Sequence, residues 1–368
     1  MFSSICLRKQ KLAVGIILLI SITSLLWEKF KHKQVPLEKK ITCQKVNQVL
    51  KTMSFLVSAG GQDPLFKNGK FSTDEVLRWQ LMLIQECPWK PNATAVMQHR
   101  AELGQCCNAS HRLVVTKENA PLGSTIHFDG VKVKIITVDS KLTNMLLERF
   151  PLADAQYSKC ALIGNGGILQ DSRCGQEIDQ ADFIIRFNLP PLNRTEDVGT
   201  KTHLVTINPS VLTNRFKNLE GPPMAFIDAV RAYPNALFLI PALSFHDHIE
   251  LGYRALHILK DIGLPHQAFF LNPHYLRALD IYWKQKGMTE IRLSTGFMFT
   301  SFALEFCDHI TLYGFWPFLF DLTGKPINHH YYDNVLPHPF VHSMSEEFSR
   351  YIDMYAQGVL RIQLGKCQ

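Results

Sequence analysis

Several patterns are absent from this sequence. The eight cysteines that follow residue 27 contain no Cys-x-x-Cys pair, which argues against a zinc site built on cysteine. No internal repeat and no low-complexity tract is present, so we expect one large domain. Most of the net charge of +7 lies in residues 1–40, and the rest of the chain is nearly balanced. A basic face for a nucleic-acid backbone is therefore not expected.

Long hydrophobic runs are also missing, apart from a short one near the N-terminus. Residues 12–27 contain no charge, and Arg8, Lys9 and Lys11 precede them, while the run EKFKHK comes after them. This stretch is shorter than the roughly 20 apolar residues of an ordinary transmembrane helix, and no small-x-small cleavage site comes after it. We expect an uncleaved signal-anchor in a thin, early secretory membrane, with a buried core helix as the alternative.

The residues downstream of this span indicate its orientation. Asn-x-Ser/Thr sequons occur at Asn92, Asn108 and Asn193, all on the C-terminal side of the span. Eight cysteines also lie there, an even number that suits disulfides in an oxidising compartment. We therefore expect a single-pass type II protein of the Golgi membrane. Its expected parts are a cytoplasmic tail at 1–11, a signal-anchor at 12–27, a stem at 28–80 and a luminal domain at 81–368.

From residue 160 onward, strand and helix patterns alternate. CALIGN, FIIRFN, HLVTIN, ALFLIP, QAFFLN and HITLYGF are typical of buried strands, and amphipathic or apolar helical segments separate most of them. This order predicts an α/β fold, with a Rossmann-like, mainly parallel sheet flanked by helices. The carboxyl ends of such strands are the expected ligand site.

Two loops fit a ligand site at the strand ends. In LIGNGGILQ, residues 162–170, a strand ends in a glycine-rich turn, where the backbone can approach a ligand closely. In RLSTGFMF, residues 292–299, Ser294 or Thr295 can cap a helix whose first turn offers N–H groups to a phosphate, and Gly296 leaves room above that turn. An ordinary glycine turn and an ordinary helix cap are the alternatives.

Four segments together resemble the animal sialyltransferases. CALIGNGGILQDSRCGQEIDQADFIIRFNLPPL, continued by DVGTKTHLVTINPS, is similar to their long sialyl motif, and RLSTGFMFTSFALEFCDHITLYGFWPF to their short motif. HHYYD resembles the third motif, and His342 with Glu347 the very short one, in the family's order. The segments that most resemble the α2,8-sialyltransferases are CCNAS, GNGGIL, FNLPP and HHYYDN. Within that group, they most resemble the mono- and oligosialyltransferases that act on gangliosides or O-glycans.

The resemblance implies a glycosyltransferase with a variant of the GT-A-like fold in its luminal domain. It would transfer sialic acid from CMP-sialic acid to the 8-hydroxyl of a terminal sialic acid on a glycolipid or glycoprotein glycan. The reaction would be a single displacement with inversion, through an oxocarbenium-like state. Two alternatives remain: an α2,3- or α2,6-sialyltransferase acting on galactose or N-acetylgalactosamine, and a non-catalytic sialoglycan-binding Golgi protein.

The resemblance also assigns two histidines. A sugar hydroxyl is a poor nucleophile until its proton is accepted, and histidine titrates near neutrality, so His342 is implied as the general base. His330 would donate a hydrogen bond to the departing phosphate. Glu347 would either orient His342 or cap its helix, with Glu346 as the rival for that role. His329 is expected to be structural, as is Tyr331.

The same motifs imply the substrate-binding roles. The backbone of the 294–296 turn would stabilise the phosphate. Trp316 would lie against the nucleotide, or else belong to the core. The implied substrate-binding residues are Asn165, Asn188, Asn208, Ser294, Thr295, Gly296 and Trp316.

No metal or other cofactor is expected. His338 and His342 are four residues apart, but Pro337 and Pro339 make a shared helix face improbable. The sequence also contains no Asp-x-Asp triplet, the pattern that commonly holds the metal of nucleotide-sugar enzymes. Protein groups would then have to stabilise the leaving phosphate.

The family resemblance implies two disulfides, Cys160–Cys307 and Cys174–Cys367. The pairing of Cys43, Cys87, Cys106 and Cys107 is left open. Because adjacent cysteines strain a disulfide, Cys106 and Cys107 are not expected to bond each other. An intermolecular disulfide through one of these four cysteines would give a homodimer.

The charge of two segments bears on the length of the product. The segments before the long and short motifs carry nearly balanced charge, whereas polysialylating relatives are strongly basic there. We therefore expect one or a few sialic acids to be added. The sequence does not distinguish glycolipid from glycoprotein acceptors.

Overall fold

A seven-stranded parallel sheet forms the centre of the molecule. The computed structural model describes residues 81, 89–130, 135–264, 267–289, 292–336 and 342–367. The strands are β1 Thr125–His127, β2 Ile135–Thr137, β3 Tyr157–Ile163, β4 Phe183–Arg186, β5 Leu204–Thr206, β6 Leu237–Ile240, β7 Ala268–Phe270, β8 Cys307–Tyr313 and β9 Arg361–Gln363. The strand order in the sheet is β7-β6-β5-β4-β3-β8-β9, and a separate antiparallel pair, β1-β2, lies outside this sheet.

Helices flank the sheet, so that the central strands are buried on both faces, as apolar parallel strands require. The residues of β4, β5 and β7 are all buried. The helices are Ala93–Cys106, Ala109–Arg112, Ser140–Thr143, Gly175–Asp179, Thr195–Val198, Pro209–Asn214, Met224–Arg231, Ile249–Asp261, Pro273–Gln285, Thr295–Phe306 and Met344–Ala356.

The predicted strand and helix order between residues 160 and 315 is confirmed. Each of the six predicted strands overlaps one of β3 to β8. The helix between β6 and β7 begins at Ile249, after a 3₁₀ turn formed by His246–His248. The mainly parallel α/β class is therefore confirmed.

The Thr295–Phe306 helix is the most buried helix element near the site. Nine of its residues, including Phe297, Phe299 and Phe302, are buried. β8 starts at Cys307, directly after the helix ends, and the helix therefore runs antiparallel to the strands. Its N-terminus consequently lies at the carboxyl edge of the sheet, where the ends of β3 and β8 also lie.

Three disulfides occur in the part of the chain that the structure describes. Cys160 on β3 is bonded to Cys307 at the start of β8, and Cys174 is bonded to Cys367. The expectation that Cys106 and Cys107 do not bond each other was wrong, since they are paired. The helix ends at Cys106, and Cys107 has a non-helical backbone (φ −122°, ψ −42°), which changes the direction of its side chain.

Several expectations concern residues outside the described part. These are the tail, span and stem at 1–80, the partners of Cys43 and Cys87, and His338. Among the helices that the structure does describe, none combines the length and the apolar character needed to cross a bilayer.

Candidate active site

The predicted site residues line one cleft. It has a volume of about 1140 Å³ and lies where β3, β4, β5 and β8 end. All ten residues to which the sequence assigned a role in binding or chemistry line it: Asn165, Asn188, Asn208, Ser294, Thr295, Gly296, Trp316, His330, His342 and Glu347.

The glycine-rich turn after β3 approaches other protein backbone. A Cβ on Gly164 or Gly166 would lie 2.6 or 2.5 Å from the carbonyl oxygen of Gly314, and one on Gly167 would lie 2.0 Å from that of Asn328. These distances leave no space for a side chain. The glycines therefore let the loops after β3 and β8 and the 328–330 segment pack together, which forms one wall of the cleft.

The N-terminus of the Thr295–Phe306 helix forms the second wall. The Ser294 side chain caps it by accepting from the Phe297 N–H at 3.2 Å. Asn208 Nδ2 donates to Thr295 Oγ1 at 2.9 Å, and this bond joins the end of β5 to the helix tip. The room above Gly296 is taken by a protein ring, since a Cβ there would lie 3.0 Å from Phe315.

A buried carboxylate holds this helix tip. Glu347 is 1% exposed, and it accepts hydrogen bonds from both the backbone N–H and the hydroxyl of Ser294. Its neighbour Glu346 binds the N–H and hydroxyl of Thr289, at 2.7 and 2.9 Å. Glu347 therefore holds the N-terminus of the 295–306 helix, whereas the capping role predicted for it concerned its own helix.

The geometry of His342 fixes which ring nitrogen carries a proton. Nδ1 lies 2.8 Å from the carbonyl oxygen of Arg292, which can only accept, so Nδ1 carries the hydrogen. Nε2 then holds a lone pair and can take a proton. Burial lowers the pKa of His342 and the charge of Arg292 lowers it further, while the bond to the carbonyl opposes them. The ring is therefore kept neutral, as a base must be.

Arg292 itself is held by an ion pair. Its Nη1 lies 2.6 Å from Asp129 Oδ2, and its Nη2 donates to Ser244 Oγ at 3.0 Å. Burial raises the pKa of Asp129, whereas the charge of Arg292 and the Ser244 hydroxyl oppose that rise. The pair links the residue whose carbonyl orients His342 to a different part of the fold.

His330 is oriented by an acid of its own loop. Its Nδ1 lies 2.7 Å from Asp333 Oδ1, and its ring stacks on Tyr332 at 5.1 Å between centroids. Its backbone pairs with Gly166 of the glycine-rich turn. With Nδ1 engaged by a carboxylate, Nε2 is the ring atom left for a ligand, and a protonated ring would donate from it.

Two amide oxygens in the cleft wall are buried acceptors without a partner among the described residues. They are the Oδ1 atoms of Asn165 and Asn208. The amide nitrogens of both are engaged, by Phe187 O at 3.0 Å and by Thr295 Oγ1 at 2.9 Å. An unmet buried acceptor costs about 1–3 kcal/mol, so these atoms favour a ligand that brings hydroxyl or amino donors.

The segment after β4 is held by three side chains. Asn188 and Leu189 adopt positive φ values of 68° and 47°. The carbonyls of residues 189, 190 and 191 accept from Arg215 Nη1, the Tyr233 hydroxyl and the Tyr331 hydroxyl. This places Asn188 in the cleft and gives Tyr331 the structural role expected of it.

Trp316 is mainly a core residue. It is 5% exposed, its Nε1 donates to Phe320 O at 2.9 Å, and its ring packs edge-on against Phe318. It still borders the cleft. Its burial and its contacts with Phe318 and Phe320 therefore correspond to the core position, one of the two roles predicted for Trp316.

The three sequon asparagines differ in their surroundings. Asn92 caps the Ala93–Cys106 helix through its Oδ1, which leaves its exposed Nδ2 available. Asn108 has a left-handed backbone (φ 53°) and accepts from Ser110 Oγ. Asn193 lies at the rim of the cleft, where it is exposed.

The cleft is equipped for group transfer from a phosphate-bearing donor, because a helix N-terminus suits a phosphate and an oriented neutral imidazole suits a hydroxyl proton.

A crystal structure of a mammalian sialyltransferase aligns at 20% identity with a TM-score of 0.42, over 78% of this chain and 85% of that one.

The sequence comparisons identify the family. Residues 110–359 match glycosyltransferase family 29 (sialyltransferase). The chain is 38% identical over 304 residues to alpha-2,8-sialyltransferase 8F of Mus musculus, covering 82% of this chain and 76% of that protein. It is 42% identical over 282 residues to alpha-N-acetylneuraminide alpha-2,8-sialyltransferase of Xenopus tropicalis, covering 76% and 81%. This chain belongs to glycosyltransferase family 29 and is a sialyltransferase.

Some contributors to the site had no signal in the sequence. Arg292 acts through its backbone carbonyl, which no residue pattern reveals. Asp129 and Arg215 both lie outside the sialyl motifs quoted above. The fold brings Arg215 to the cleft lining and pairs Asp129 with Arg292.

Proposed function

We propose that this sialyltransferase moves sialic acid from CMP-sialic acid to the 8-hydroxyl of a terminal sialic acid on a glycan. Relatives at 38% and 42% identity that bear α-2,8-sialyltransferase names support the linkage. The observation that carries the chemistry is the hydrogen bond from His342 Nδ1 to the Arg292 carbonyl, which leaves the lone pair on Nε2 of this cleft residue to accept a proton.

The proposed step is one displacement at the anomeric carbon, C2, of the donor. The acceptor oxygen O8 forms a bond to C2 while the bond from C2 to the phosphate oxygen breaks. The O8 proton passes to His342 Nε2, and the bonding electrons leave with the phosphate of CMP. The configuration at C2 inverts from β to α, so no covalent enzyme intermediate is formed.

The departing phosphate is stabilised in this proposal by protein groups alone. The 294–296 turn contributes backbone N–H groups at a helix tip, and His330 contributes a hydrogen bond. The unmatched amide oxygens of Asn165 and Asn208 would accept from donors on the cytidine or ribose. The sequence lacks an Asp-x-Asp triplet, which supports a reaction without a metal ion or other cofactor.

The proposed setting is the Golgi membrane, with a GT-A-like catalytic domain on the luminal side. The uncharged run at 12–27, the three sequons and the disulfides support a type II protein with a signal-anchor and a stem. N-glycans would be attached at Asn92, Asn108 and Asn193. We also propose that the protein forms a homodimer. The acceptor would be a ganglioside-type glycolipid or an O-glycan, extended by one or a few residues.

An acceptor panel tests this function. The full-length chain would be given CMP-sialic acid with acceptors ending in sialic acid, galactose or N-acetylgalactosamine, each with and without EDTA. We expect transfer to the sialic acid-terminated acceptors alone, an α2,8 linkage in the product and no loss of rate in EDTA. Transfer to galactose alone would contradict the linkage, and loss of rate in EDTA would contradict the metal-free reaction.

A further inference from the structure

Four formally charged side chains line the cleft besides its histidines. Two acids are already engaged, since Glu347 binds Ser294 and Asp333 binds His330. Arg194 lies 4.0 Å from Asp197. Arg215 has no carboxylate within ion-pair distance among the residues that the structure describes. The four are Arg194, Arg215, Asp333 and Glu347.

The position of Arg215 is fixed from one side. It comes directly after the Pro209–Asn214 helix, and its Nη1 donates to the Leu189 carbonyl at 2.6 Å. Its guanidinium carbon lies 5.0 Å from the centre of the Phe216 ring. A guanidinium carries five N–H donors in a planar fork. The bond to Leu189 therefore holds the group in place and leaves further donors for a ligand.

The groups around Arg215 do not cancel its charge. The charge of Arg215 acts on three phenols, those of Tyr233, Tyr331 and Tyr332. Burial raises the pKa of Tyr332 to about 12, and the charge of Arg215 only partly opposes this. Burial also raises the pKa of the other two phenols. All three stay neutral at physiological pH, and since Tyr332 stacks on His330, the uncompensated charge acts close to the proposed reaction centre.

We infer that Arg215 binds the carboxylate of a sialic acid residue in the cleft. The inference rests on the proposed function, in which donor and acceptor each carry such a carboxylate. A guanidinium fork matches a carboxylate through two parallel hydrogen bonds. In the proposed function the helix tip and His330 bind the donor phosphate, and we assign Arg215 to the carboxylate of the acceptor. Arg215 would then make the enzyme select acceptors that end in an acidic sugar.

The acceptor arm of the test compares two acceptors that differ in charge. One ends in sialic acid, and the other is the same glycan with that carboxyl group converted to a neutral amide. For the wild-type full-length chain, we expect the KM of the amide to exceed that of the acid by about 10- to 100-fold, as expected for a hydrogen bond to a charged group. Arg215→Gln should bring the ratio close to one, and Arg215→Lys should restore part of it.

Arg194→Gln is the matched control, because it removes the other arginine of the cleft. It should keep the wild-type ratio of the two KM values. The melting temperature of each variant is measured alongside. If Arg215→Gln lowered the melting temperature and impaired both acceptors by the same factor, Arg215 would support the 188–191 segment only, and the inference would be overturned.

The donor arm identifies the source of the carboxylate. If Arg215→Gln raised the KM of CMP-sialic acid, left the Kd of CMP unchanged and kept the acid preference, the carboxylate bound would be that of the donor. If Arg215→Gln weakened the binding of CMP and of CMP-sialic acid by the same factor, Arg215 would be assigned to the phosphate, and the inference would be overturned. Wild-type values of all these constants in Arg215→Gln would overturn it as well. If the wild-type chain used only galactose-terminated acceptors, the proposed function would fail, and this donor arm would still decide the role of Arg215.

Discussion

Replacing Glu347 by glutamine should loosen the helix tip at the centre of the cleft. The carboxylate is 1% exposed and accepts two hydrogen bonds from Ser294. Glutamine keeps one acceptor oxygen but removes the charge and turns an NH₂ group toward Ser294. The loss of a charge-assisted hydrogen bond is worth about 1.5–3 kcal/mol. For a domain of this size, that corresponds to a melting temperature lower by about 3–6 °C.

The same change should slow the reaction. The 294–296 turn is the proposed phosphate site, and a displacement of about 1 Å can reduce a rate by about 100-fold. We expect kcat to fall by about 10- to 100-fold. Thermal unfolding monitored by intrinsic fluorescence, together with initial rates of sialyl transfer, would measure both effects.

Glu346→Gln is the matched control for Glu347→Gln. Its carboxylate also binds an N–H and a hydroxyl, those of Thr289, but it is partly exposed to solvent. Exposed charged contacts contribute roughly 0–1 kcal/mol, so this variant should stay close to wild type. If the two variants had the same melting temperature and the same kcat, the account of Glu347 as the holder of the helix tip would be refuted.

Two further predictions concern other parts of the cleft. Burial and the charge of Arg292 lower the pKa of His342, so the acid limb of the pH profile of kcat/KM should fall below pH 6.5, the ordinary value for histidine. Arg292→Gln should move this limb to higher pH and Arg292→Lys much less; an unmoved limb would contradict the assignment. Gly167→Ala should prevent stable folding, because its Cβ would lie 2.0 Å from the Asn328 carbonyl oxygen. The control Gly104→Ala should fold normally, because its Cβ would have nothing within 4 Å. A Gly167→Ala protein with the wild-type melting temperature would contradict this account of the packing.

Much of the fold could be predicted because its signals are local. The apolar strands β3 to β8 and the helices between them show in short windows of sequence, and their alternation indicates a parallel sheet. The strands β1, β2 and β9 are as short as β5 and β7, but at least two of the three residues in each are exposed or half-buried, so no buried apolar run marks them in the sequence. The Cys106–Cys107 bond was missed because it depends on how the chain leaves a helix.

The site was predictable only in part, for a different reason. Its residues were chosen because they resemble family motifs, and the structure brings all ten to one cleft. The contacts that hold them in place were not visible. Ser294 and Glu347 are 53 positions apart, and Asp129 reaches Arg292 from another part of the chain. Such contacts depend on tertiary packing and leave no periodic or compositional trace.

The most direct test of the central claim is the kinetics of His342→Ala beside His246→Ala, which removes a histidine outside the cleft. A positioned general base contributes about 10²- to 10⁴-fold to the rate, so kcat should fall by that factor in His342→Ala while the Kd of CMP stays within about threefold of wild type. His246→Ala should match wild type in both constants. A His342→Ala enzyme that kept more than about a tenth of the wild-type kcat would contradict the role of His342 as the base that readies the acceptor hydroxyl.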